Sequence, residues 1–273
     1  MLRGQKVSII GGGNMGEVLA RGIISAGLTD ANNVTISDVA RERLDYLGRN
    51  YGVNVTGSNS KALENAAVVI LAVKPQNMGE VLRELSGFIG GGELFISIAA
   101  GIPLRFLEEN LGGTVRVIRV MPNTPALIGA GAAALAAGSY ATEKDLALAR
   151  GIFNSVGITV IVEEALIDAV TGLSGSGPAY GFMIIEALKE GGVKMGLDED
   201  TALTLAAQTL LGAAKLCLLG DKTPSELTEM VTSPGGTTIE GIKALERGNL
   251  KETLVSAVEA ATFRSKELGR GEK

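Results

Sequence analysis

Residues 231–238, V-T-S-P-G-G-T-T, separate two stretches of helical pattern and combine a proline, two glycines and four hydroxyl side chains. The glycines allow a positive φ and let main-chain N–H groups approach a ligand closely, while the proline removes one donor. An apolar helical period resumes at residues 239–245, so Thr237 and Thr238 are expected where a helix begins. A helix N-terminus that follows glycines suits a small carboxylate. The alternative is a loop whose threonine merely caps the helix.

A second cluster, Gly11, Gly13 and Gly16, forms G-x-G-x-x-G directly after an apolar run and at the start of a helical pattern. In that context the first glycine permits a tight turn and the second lets the backbone approach a pyrophosphate. The third lets the helix pack on the strand. The pattern therefore indicates a dinucleotide, against the alternative of a plain glycine-rich turn.

Asp38 stands about 20 residues beyond this motif, where dinucleotide-binding chains carry the acid that binds the ribose. Its carboxylate can accept hydrogen bonds from the ribose and would repel a 2′-phosphate, which favours NADH. Arg41 and Arg43 follow, and either could pair with a 2′-phosphate or lie exposed on a helix. The sequence therefore leaves the choice between NADH and NADPH open.

The composition narrows the chemistry further. The chain has 273 residues, no histidine, one cysteine (Cys217) and a net charge of −5. Triads that need histidine, intrachain disulfides, and metal sites built from Cys or His are excluded, so we expect no metal and a cofactor that carries the reaction. The negative charge argues against nucleic acid and anionic membrane as partners.

The first residues lead into an apolar run too short for a signal peptide or a membrane span, so we expect a cytoplasmic protein. The hydrophobic fraction of 46% and the mean hydropathy of +0.28 are nevertheless high for such a chain. Burial of apolar surface between subunits would explain them.

The elements that must position these residues divide the chain into two parts. Up to about residue 162, short runs rich in Val and Ile alternate with helical patterns, which predicts a doubly wound parallel α/β sheet with its ligand site beyond the carboxyl ends of the strands. The predicted strands are residues 7–10, 34–36, 68–73, 94–98, 115–120 and 158–162, and the predicted helices between them include residues 14–26, 41–47 and 78–85.

Beyond residue 163 the strand patterns fade, and long helices are predicted over residues 178–194 and 199–219. Their apolar residues cover most of the helix circumference, which a domain of this size can hardly bury alone. We therefore expect a dinucleotide-binding domain at residues 1–162 and an all-α domain at residues 163–273 that pairs with a second copy.

Five sequence blocks in this order resemble pyrroline-5-carboxylate reductase. They are I-G-G-G-N-M-G at 10–16, L-A-V-K-P-Q at 71–76, R-V-M-P-N-T-P at 119–125, G-L-S-G-S-G-P-A-Y at 172–180, and V-T-S-P-G-G-T-T with the helix that follows. The resemblance covers nearly the whole chain, and the last block is similar to the signature of that family.

The resemblance implies reduction of 1-pyrroline-5-carboxylate to L-proline by hydride from NADPH or NADH, the last step of proline biosynthesis. It also implies an N-terminal Rossmann-type domain, an all-α C-terminal dimerisation domain, and a homo-oligomer that is a dimer or a pentamer of dimers. The expected partners are thus a small-molecule substrate and further copies of the chain.

The resemblance also assigns site residues by position. The cofactor would contact Ile10, Gly11, Gly12, Gly13, Asn14, Met15, Gly16, Ser37, Asp38, Asn59, Val73, Lys74, Pro75, Ala100 and Asn123. The substrate would contact Glu164, Ser233, Gly235, Gly236, Thr237 and Thr238. Backbone amides of the loop would bind the carboxylate, and the Thr238 hydroxyl would lie at the ring nitrogen as the catalytic group. Glu164 could instead cap the helix that follows it or be a solvated surface acid, and Lys74 could be a surface lysine.

Two other functions remain alternatives. A β-hydroxyacid dehydrogenase-like enzyme or another cyclic-imine reductase would also join a dinucleotide domain to a helical one. Hydroxyacid enzymes need a catalytic lysine in the helical part, but neither Lys189 nor Lys194 stands in a glycine-serine setting. A non-catalytic dinucleotide sensor would keep the glycine motif and would not need the loop at 231–238.

Overall fold

The computed structural model describes residue 2 and residues 4–269. The outer ends of the two predicted domains, residue 1 and residues 270–273, lie outside them. The described chain forms two compact units. The first unit contains the residues up to Ser176 together with those from Ala260 onward, and the second unit contains Gly177–Glu259.

The first unit is built on an eight-stranded sheet. Its strands are β1 Lys6–Ile10, β2 Val34–Ser37, β3 Asn54–Thr56, β4 Ala66–Leu71, β5 Leu94–Ser97, β6 Arg116–Met121, β7 Gly131–Ala137 and β8 Gly157–Ile161. The order across the sheet is β3-β2-β1-β4-β5-β6-β7-β8. Strands β1 to β6 pair in parallel, whereas β7 is antiparallel to β6 and parallel to β8.

The helices of the first unit are α1 Asn14–Ser25, α2 Arg41–Tyr51, α3 Asn59–Leu63, α4 Met78–Ser86, α5 Leu104–Leu111, α6 Glu143–Asn154 and α7 Ile167–Val170. A π-helical turn, Thr171–Gly175, continues α7. Short 3₁₀ turns cover Ala31–Asn33, Pro75–Asn77, Thr124–Ile128 and Glu164–Leu166.

The central strands are buried on both faces. Val68, Val69, Ile70 and Leu71 are all 0% exposed. Val68 and Ile70 belong to one apolar cluster, and Val69 and Leu71 to another, because successive side chains of a strand point to opposite faces. Helices that cover both faces explain why these strands appear in the sequence as continuous apolar runs.

The sheet confirms the predicted α/β class and contains two strands that the pattern did not reveal. Strand β3 has only three residues, and β7, G-A-A-A-L-A-A, is made mostly of alanine and glycine, which have low strand propensity. The expectation of a wholly parallel sheet is wrong at β6 and β7, which pair antiparallel. A short 3₁₀ turn at Thr124–Ile128 connects them, where a parallel pair would need a longer crossover.

The second unit is helical. Its elements are α8 Gly177–Lys194, α9 Glu199–Leu219, α10 Pro224–Met230, α11 Thr237–Arg247 and the first part of α12 Leu250–Gly269. None of the residues of α8, α10 or α11 is buried, and only Ala202 and Ala206 are buried in α9. Helix α9 is long and apolar enough to cross a membrane by length and composition, a property that core helices of soluble proteins share.

Candidate active site

The carboxyl ends of the parallel strands bring many of the predicted cofactor residues to one edge of the sheet. Strand β1 leads into the glycine motif and β2 into Asp38, while β4 leads toward Val73 and Lys74. The strand order changes direction between β1 and β4, the switch point where open α/β sheets bind ligands. A cavity of about 510 Å³ opens there. It is lined by Gly11, Gly13, Ser37, Asp38, Val39, Asn59, Ala72, Val73, Lys74, Asn77, Glu80, Val81 and Glu84.

The three glycines of the motif meet three different requirements. Gly11 has φ +106°, and a Cβ there would lie 2.6 Å from the Ala72 carbonyl oxygen. A Cβ on Gly16 would lie 2.1 Å from the Gly11 oxygen, so this glycine lets α1 pack closely on β1. Gly13 differs, since a Cβ there meets nothing within 4 Å, although the residue lines the cavity. A side chain at Gly13 would therefore fill the space that a pyrophosphate needs.

Helix α1 begins at this cavity. Gly13 is its N-cap, and among the described residues no side chain caps its first amides. The first N–H groups of a helix have no intrahelical acceptor, and the helix dipole favours an anion at this end. Asn14 and Met15 occupy the first turn, while Ile10 is buried at the end of β1. The loop and the helix together fit the phosphates of a dinucleotide.

Asp38 is fixed by the backbone on both carboxylate oxygens. Oδ2 accepts a hydrogen bond from the Gly12 N–H at 2.7 Å, and Oδ1 accepts one from the Ala40 N–H at 2.9 Å. Each carboxylate oxygen has a second lone pair, so ribose hydroxyls can still donate to Asp38. The acid and the glycine loop are therefore held in one geometry.

Arg43 is engaged away from the cavity. Its Nε donates to the Gly12 carbonyl oxygen at 2.5 Å, and its Nη2 forms an ion pair with Glu17. Tyr51 donates to the other oxygen of Glu17 at 2.5 Å. Burial raises the pKa of Glu17, but the hydrogen bonds from Tyr51 and Arg43 outweigh it and leave that pKa below its ordinary value. The same contact with Glu17 raises the pKa of Tyr51 to about 12.

Asn59 joins two sides of the cavity. The Ser37 hydroxyl donates to its Oδ1 at 2.8 Å, and its Nδ2 donates to Glu84 at 2.7 Å. Glu80 and Glu84 also line the cavity, four residues apart on α4, although neither was a predicted site residue. The available signal was their i, i+4 spacing, which places them on one face of a helix that had been predicted.

The remaining cofactor candidates follow neighbouring strands without lining this cavity. Pro75 opens the 3₁₀ turn after β4, and Ala100 is exposed after β5. Asn123 follows β6, and both ends of its amide already contact the protein. Its Nδ2 donates to the Ser174 carbonyl at 3.1 Å, and its Oδ1 accepts from the Ala132 N–H at 2.8 Å. This side chain therefore anchors the segment between β6 and β7.

Glu164 caps α5, which lies earlier in the chain, rather than the helix that follows it, and it pairs with a buried cation. Its Oε1 accepts from the Leu104 N–H at 2.6 Å, at the start of α5, and from Arg119 Nη1 at 3.0 Å. The Arg119 side chain is 8% exposed, and a buried guanidinium requires such a partner. Both contacts use one oxygen, so Oε2 is the atom that Glu164 offers to a further group.

The loop at 231–238 lies in the second unit and has the predicted form. Gly235 has φ +74°, and Gly236 is the N-cap of α11. Thr237 and Thr238 are the first residues of that helix, and both are exposed. In the described chain no side chain caps α11, so the alternative of a threonine cap does not occur. Ser233 is also exposed, and its carbonyl accepts from the Gly236 N–H at 3.0 Å.

Other chemistries find little support in the described residues. These contain no group of three or more His, Cys, Asp or Glu residues that could hold a metal ion. Lys189, a candidate catalytic lysine of the alternative enzyme, forms ion pairs with Glu186 and Glu199. The hydrogen bonds from Lys189 to these two acids raise its pKa, which keeps the amine charged.

Two family models match the chain. The family described as pyrroline-5-carboxylate reductase dimerisation matches residues 164–268, and the one described as NADP oxidoreductase, coenzyme F420-dependent, matches residues 6–101. The second match covers the glycine motif and Asp38, and the first covers the loop at 231–238. Each part of the predicted architecture thus has a matching family.

Similar proteins cover nearly the full length. A pyrroline-5-carboxylate reductase of Methanosarcina acetivorans is 47% identical over 98% of this chain and 100% of its own. A solved pyrroline-5-carboxylate reductase from Coxiella burnetii is 40% identical with a TM-score of 0.93 over 97% of this chain and 98% of its own. One from Plasmodium falciparum, solved with NADP bound, is 33% identical with a TM-score of 0.87 over the same shares. The chain belongs to the pyrroline-5-carboxylate reductase family, and it is an oxidoreductase that reduces 1-pyrroline-5-carboxylate to L-proline with NAD(P)H in proline biosynthesis.

Proposed function

We propose that the cavity of the first unit binds NADH or NADPH and that the loop at 231–238 binds 1-pyrroline-5-carboxylate, with Thr238 at the reacting nitrogen. The observation that carries this assignment is shared by α1 and α11. Each helix begins at a glycine, and no described side chain caps either one. One free helix start fits the pyrophosphate of the cofactor, and the other fits the carboxylate of the substrate.

The loop supplies the substrate with donors of two kinds. Gly235 and Gly236 let backbone amides approach the carboxylate without interference from a Cβ. Thr238, in the first turn of α11, presents an exposed hydroxyl that can hydrogen-bond the ring nitrogen. For Glu164 we retain a substrate-proximal role through Oε2, because its Oε1 is already engaged.

This reaction demands orientation more than proton abstraction. When bound, the dihydronicotinamide supplies the hydride that reduces the imine carbon. A protonated imine is already electrophilic, so the chain needs no strong base, which agrees with its lack of histidine. Holding the reactants in line can supply about 7–11 kcal/mol of the barrier. Thr238 contributes by fixing the ring nitrogen.

Two variants of Thr238 test this role. We expect Thr238→Ala to lower kcat/KM by roughly one to two orders of magnitude, because a hydrogen bond to a charged group contributes roughly 1.5–3 kcal/mol. Thr238→Ser keeps the hydroxyl and should recover most of the activity. The assay follows NAD(P)H absorbance with pyrroline-5-carboxylate and with a panel of 2-keto and 3-hydroxy acids.

Thr253→Ala is the matched control, because Thr253 is an exposed threonine elsewhere in the second unit. It should leave kcat/KM unchanged, and none of these variants should alter the affinity for the dinucleotide. Wild-type kinetics for Thr238→Ala would remove Thr238 from the mechanism.

The proposal also assigns the two functions to two ranges of the sequence. We assign cofactor binding to residues 1–162, and substrate binding with dimerisation to residues 163–273. The family match at residues 164–268 supports the second range. The compact units divide elsewhere, at Ser176 and within α12. One contact that ties the end of α12 to the first unit is the 2.6 Å hydrogen bond that Ser265 donates to Asp168 of α7.

The exposed apolar helices support a proposal about the assembly, and the charge of the chain supports one about its partners. The dimerisation family shows that the chain forms homo-oligomers, and we propose a dimer or a pentamer of dimers. Covering α9 by another copy explains its apolar surface without a membrane. The net charge of −5 argues against nucleic acid and anionic membrane surfaces, which carry many negative charges, as partners. We therefore propose a cytoplasmic location with no nucleic acid or membrane as partner.

A further inference from the structure

We propose that the cavity at the sheet edge selects NADH over NADPH, with Asp38 as the main specificity-determining residue. The inference rests on the proposed cofactor site and concerns the ribose end of that site. The two dinucleotides differ only in a 2′-phosphate, which carries between one and two negative charges at neutral pH. The charges that line the cavity therefore decide between them.

The fixed charges around the cavity are mostly negative. Asp38, Glu80 and Glu84 line it, and Lys74 is the only cation among its lining residues. Lys74 follows β4, and β1 lies between that strand and β2, which leads into Asp38. Two strand spacings amount to about 10 Å. Lys74 is thus placed nearer the phosphates than the ribose that Asp38 would bind.

Asp38 cannot easily turn away from a phosphate. Hydrogen bonds from the Gly12 and Ala40 N–H groups hold both of its oxygens. The carboxylate therefore offers acceptors to the two hydroxyls of an unmodified ribose. A 2′-phosphate at the same place would bring a second anion against it, and like charges at close range repel.

Asn59 holds a second negative group at this end of the cavity. Its Oδ1 is occupied by the Ser37 hydroxyl, and its Nδ2 donates to the Glu84 carboxylate at 2.7 Å. The side-chain amide is thereby oriented, and the charge of Glu84 is held beside it. A phosphate would have to displace or approach that carboxylate.

Neither nearby arginine is placed to compensate. Arg43 donates to the Gly12 carbonyl and pairs with Glu17, and its side chain is only 26% exposed. Arg41 is 88% exposed and lies 3.6 Å from Asp45. It lines a neighbouring cavity of about 250 Å³, where Asp38 and Asp45 contribute negative charge. Arg43 is therefore engaged elsewhere, and Arg41 shares its cavity with two carboxylates whose charges oppose a phosphate there.

Direct binding measurements test the inference without reference to turnover. Titration calorimetry or nicotinamide fluorescence should show NADH bound about tenfold or more tightly than NADPH, the effect expected of one like-charge interaction near a protein surface. The ratio should shrink as salt rises from about 0.05 M to 1 M, because exposed charges are screened. A preference for NADPH, or a ratio independent of salt, would overturn the inference.

The variants separate charge from shape. Asp38→Asn keeps the size of the side chain and should bring the two dissociation constants within about threefold, with Glu84→Gln giving a smaller shift in the same direction. Arg41→Ala should leave the ratio unchanged. A selective loss of NADPH binding in Arg41→Ala, or an unchanged ratio in Asp38→Asn, would contradict our assignment.

Glu42→Gln is the matched control, because it removes one exposed acid of α2 that lines neither cavity. It should leave both dissociation constants unchanged, whereas a shift as large as that of Asp38→Asn would show a general charge effect and overturn the inference. Failure of both dinucleotides to bind the wild-type chain would instead reject the proposed cofactor site, and the inference with it.

Discussion

The two compact units differ in how much of their apolar surface their own chain covers. In the first unit the central strands are buried on both faces, and Phe95 and Phe153 are at most 1% exposed. In the second unit Phe182 is 66% exposed and Leu219 84% exposed. The first unit thus completes its core within one chain. The second unit leaves apolar helix faces exposed within one chain, and we expect another copy to cover them because this region matches a dimerisation family.

The two proposed ligand sites differ in the same way, because one is tightly packed within its own chain and the other is exposed. The glycine loop is held by short contacts, since the Gly11 and Gly16 positions leave no space for a Cβ and Asp38 fixes Gly12. The loop at 231–238 is largely exposed, and a Cβ on Gly235 would meet nothing within 4 Å. The proposed cofactor site is therefore preformed, whereas the proposed substrate loop is left exposed by its own chain.

The largest effect should come from charging the exposed helix surface. Leu216 and Leu219 line one face of α9 together with Gly212 and Gly220. We expect the double variant Leu216→Asp and Leu219→Asp to dissociate the oligomer, because each buried leucine contributes about 1.5–3 kcal/mol. Association should weaken at least about a hundredfold, which sedimentation velocity would detect as a lower mass.

A control for this variant lies in the first unit. Phe88 is 60% exposed after α4, and Phe88→Asp should leave the mass of the assembly unchanged. An unaltered oligomer in the Leu216 and Leu219 variant would show that this face of α9 is not covered by another copy. The surface that pairs with another copy would then have to lie on α8 instead.

A second substitution tests the preformed cofactor site. Gly13 has an extended backbone that a β-branched residue can adopt, and a Cβ there meets only the cavity. We expect Gly13→Val to leave Tm unchanged but to weaken dinucleotide binding by roughly five- to a hundredfold, because overpacking costs about 1–3 kcal/mol. Fluorescence titration with NADH measures the change.

Gly87→Val provides the matched control. Gly87 also lacks a positive φ and has open space around its Cβ position, but it lies at the end of α4 and does not line the cavity. The Gly87→Val variant should bind NADH with the affinity of the wild type. Equal affinities for Gly13→Val and Gly87→Val would contradict the placement of the pyrophosphate.

The sequence predicted what local chemistry encodes. The strand-glycine-helix context located α1 and its motif, and the proline and glycines before Thr237 located the start of α11. It did not reveal β7, because its alanines lack strand propensity and only pairing with β6 and β8 forms the strand. It also did not reveal that Arg43 pairs with Glu17, since that contact joins residues 26 positions apart on two helices. Long-range side-chain pairing is what a single sequence leaves open.

The ion pair between Arg43 and Glu17 should stabilise one wall of the proposed cofactor site. Glu17→Gln leaves the half-buried Arg43 without its counterion, so we expect a loss of about 1.5–3 kcal/mol in the free energy of unfolding of the first unit. The pKa of Glu17 is lowered in the folded state. Its contribution is therefore complete above the ordinary value of 4.5 and is lost as pH falls through the folded pKa.

Urea unfolding at several pH values measures this loss. The gap between the wild type and Glu17→Gln should be widest at neutral pH and should close at acid pH below 4.5. A matched control is Glu109→Gln, which removes the acid of an exposed pair with Arg105 and should have little effect. A gap that does not depend on pH would show that the charge of Glu17 is not what stabilises the wall.

The smallest effects should come from two capping boxes, one in each unit. Thr142 and Asp145 cap α6, and Asp145, 4% exposed, also binds Arg116 at 2.6 Å. Thr223 and Glu226 cap α10 with the same hydrogen bonds but are exposed. We expect Thr142→Ala to lower the free energy of unfolding by about 1–2 kcal/mol. Thr223→Ala should lower it by less, because solvent can replace the hydrogen bonds of an exposed cap.

Hydrogen exchange of the helix amides distinguishes the two boxes within one protein. The backbone and side chain of Thr223 lower the pKa of Glu226 by hydrogen bonding. The protection that the Glu226 cap gives the amides of α10 should therefore be complete above the ordinary glutamate pKa of 4.5. It should fall as pH drops through the pKa of Glu226 in the folded protein. After correction for intrinsic exchange, Thr142→Ala should lower the protection of α6 more than Thr223→Ala lowers that of α10. Equal losses of protection would mean that a buried capping box contributes no more to its helix than an exposed one. The two units would then differ in burial only at the sheet core and at the apolar faces of the helices.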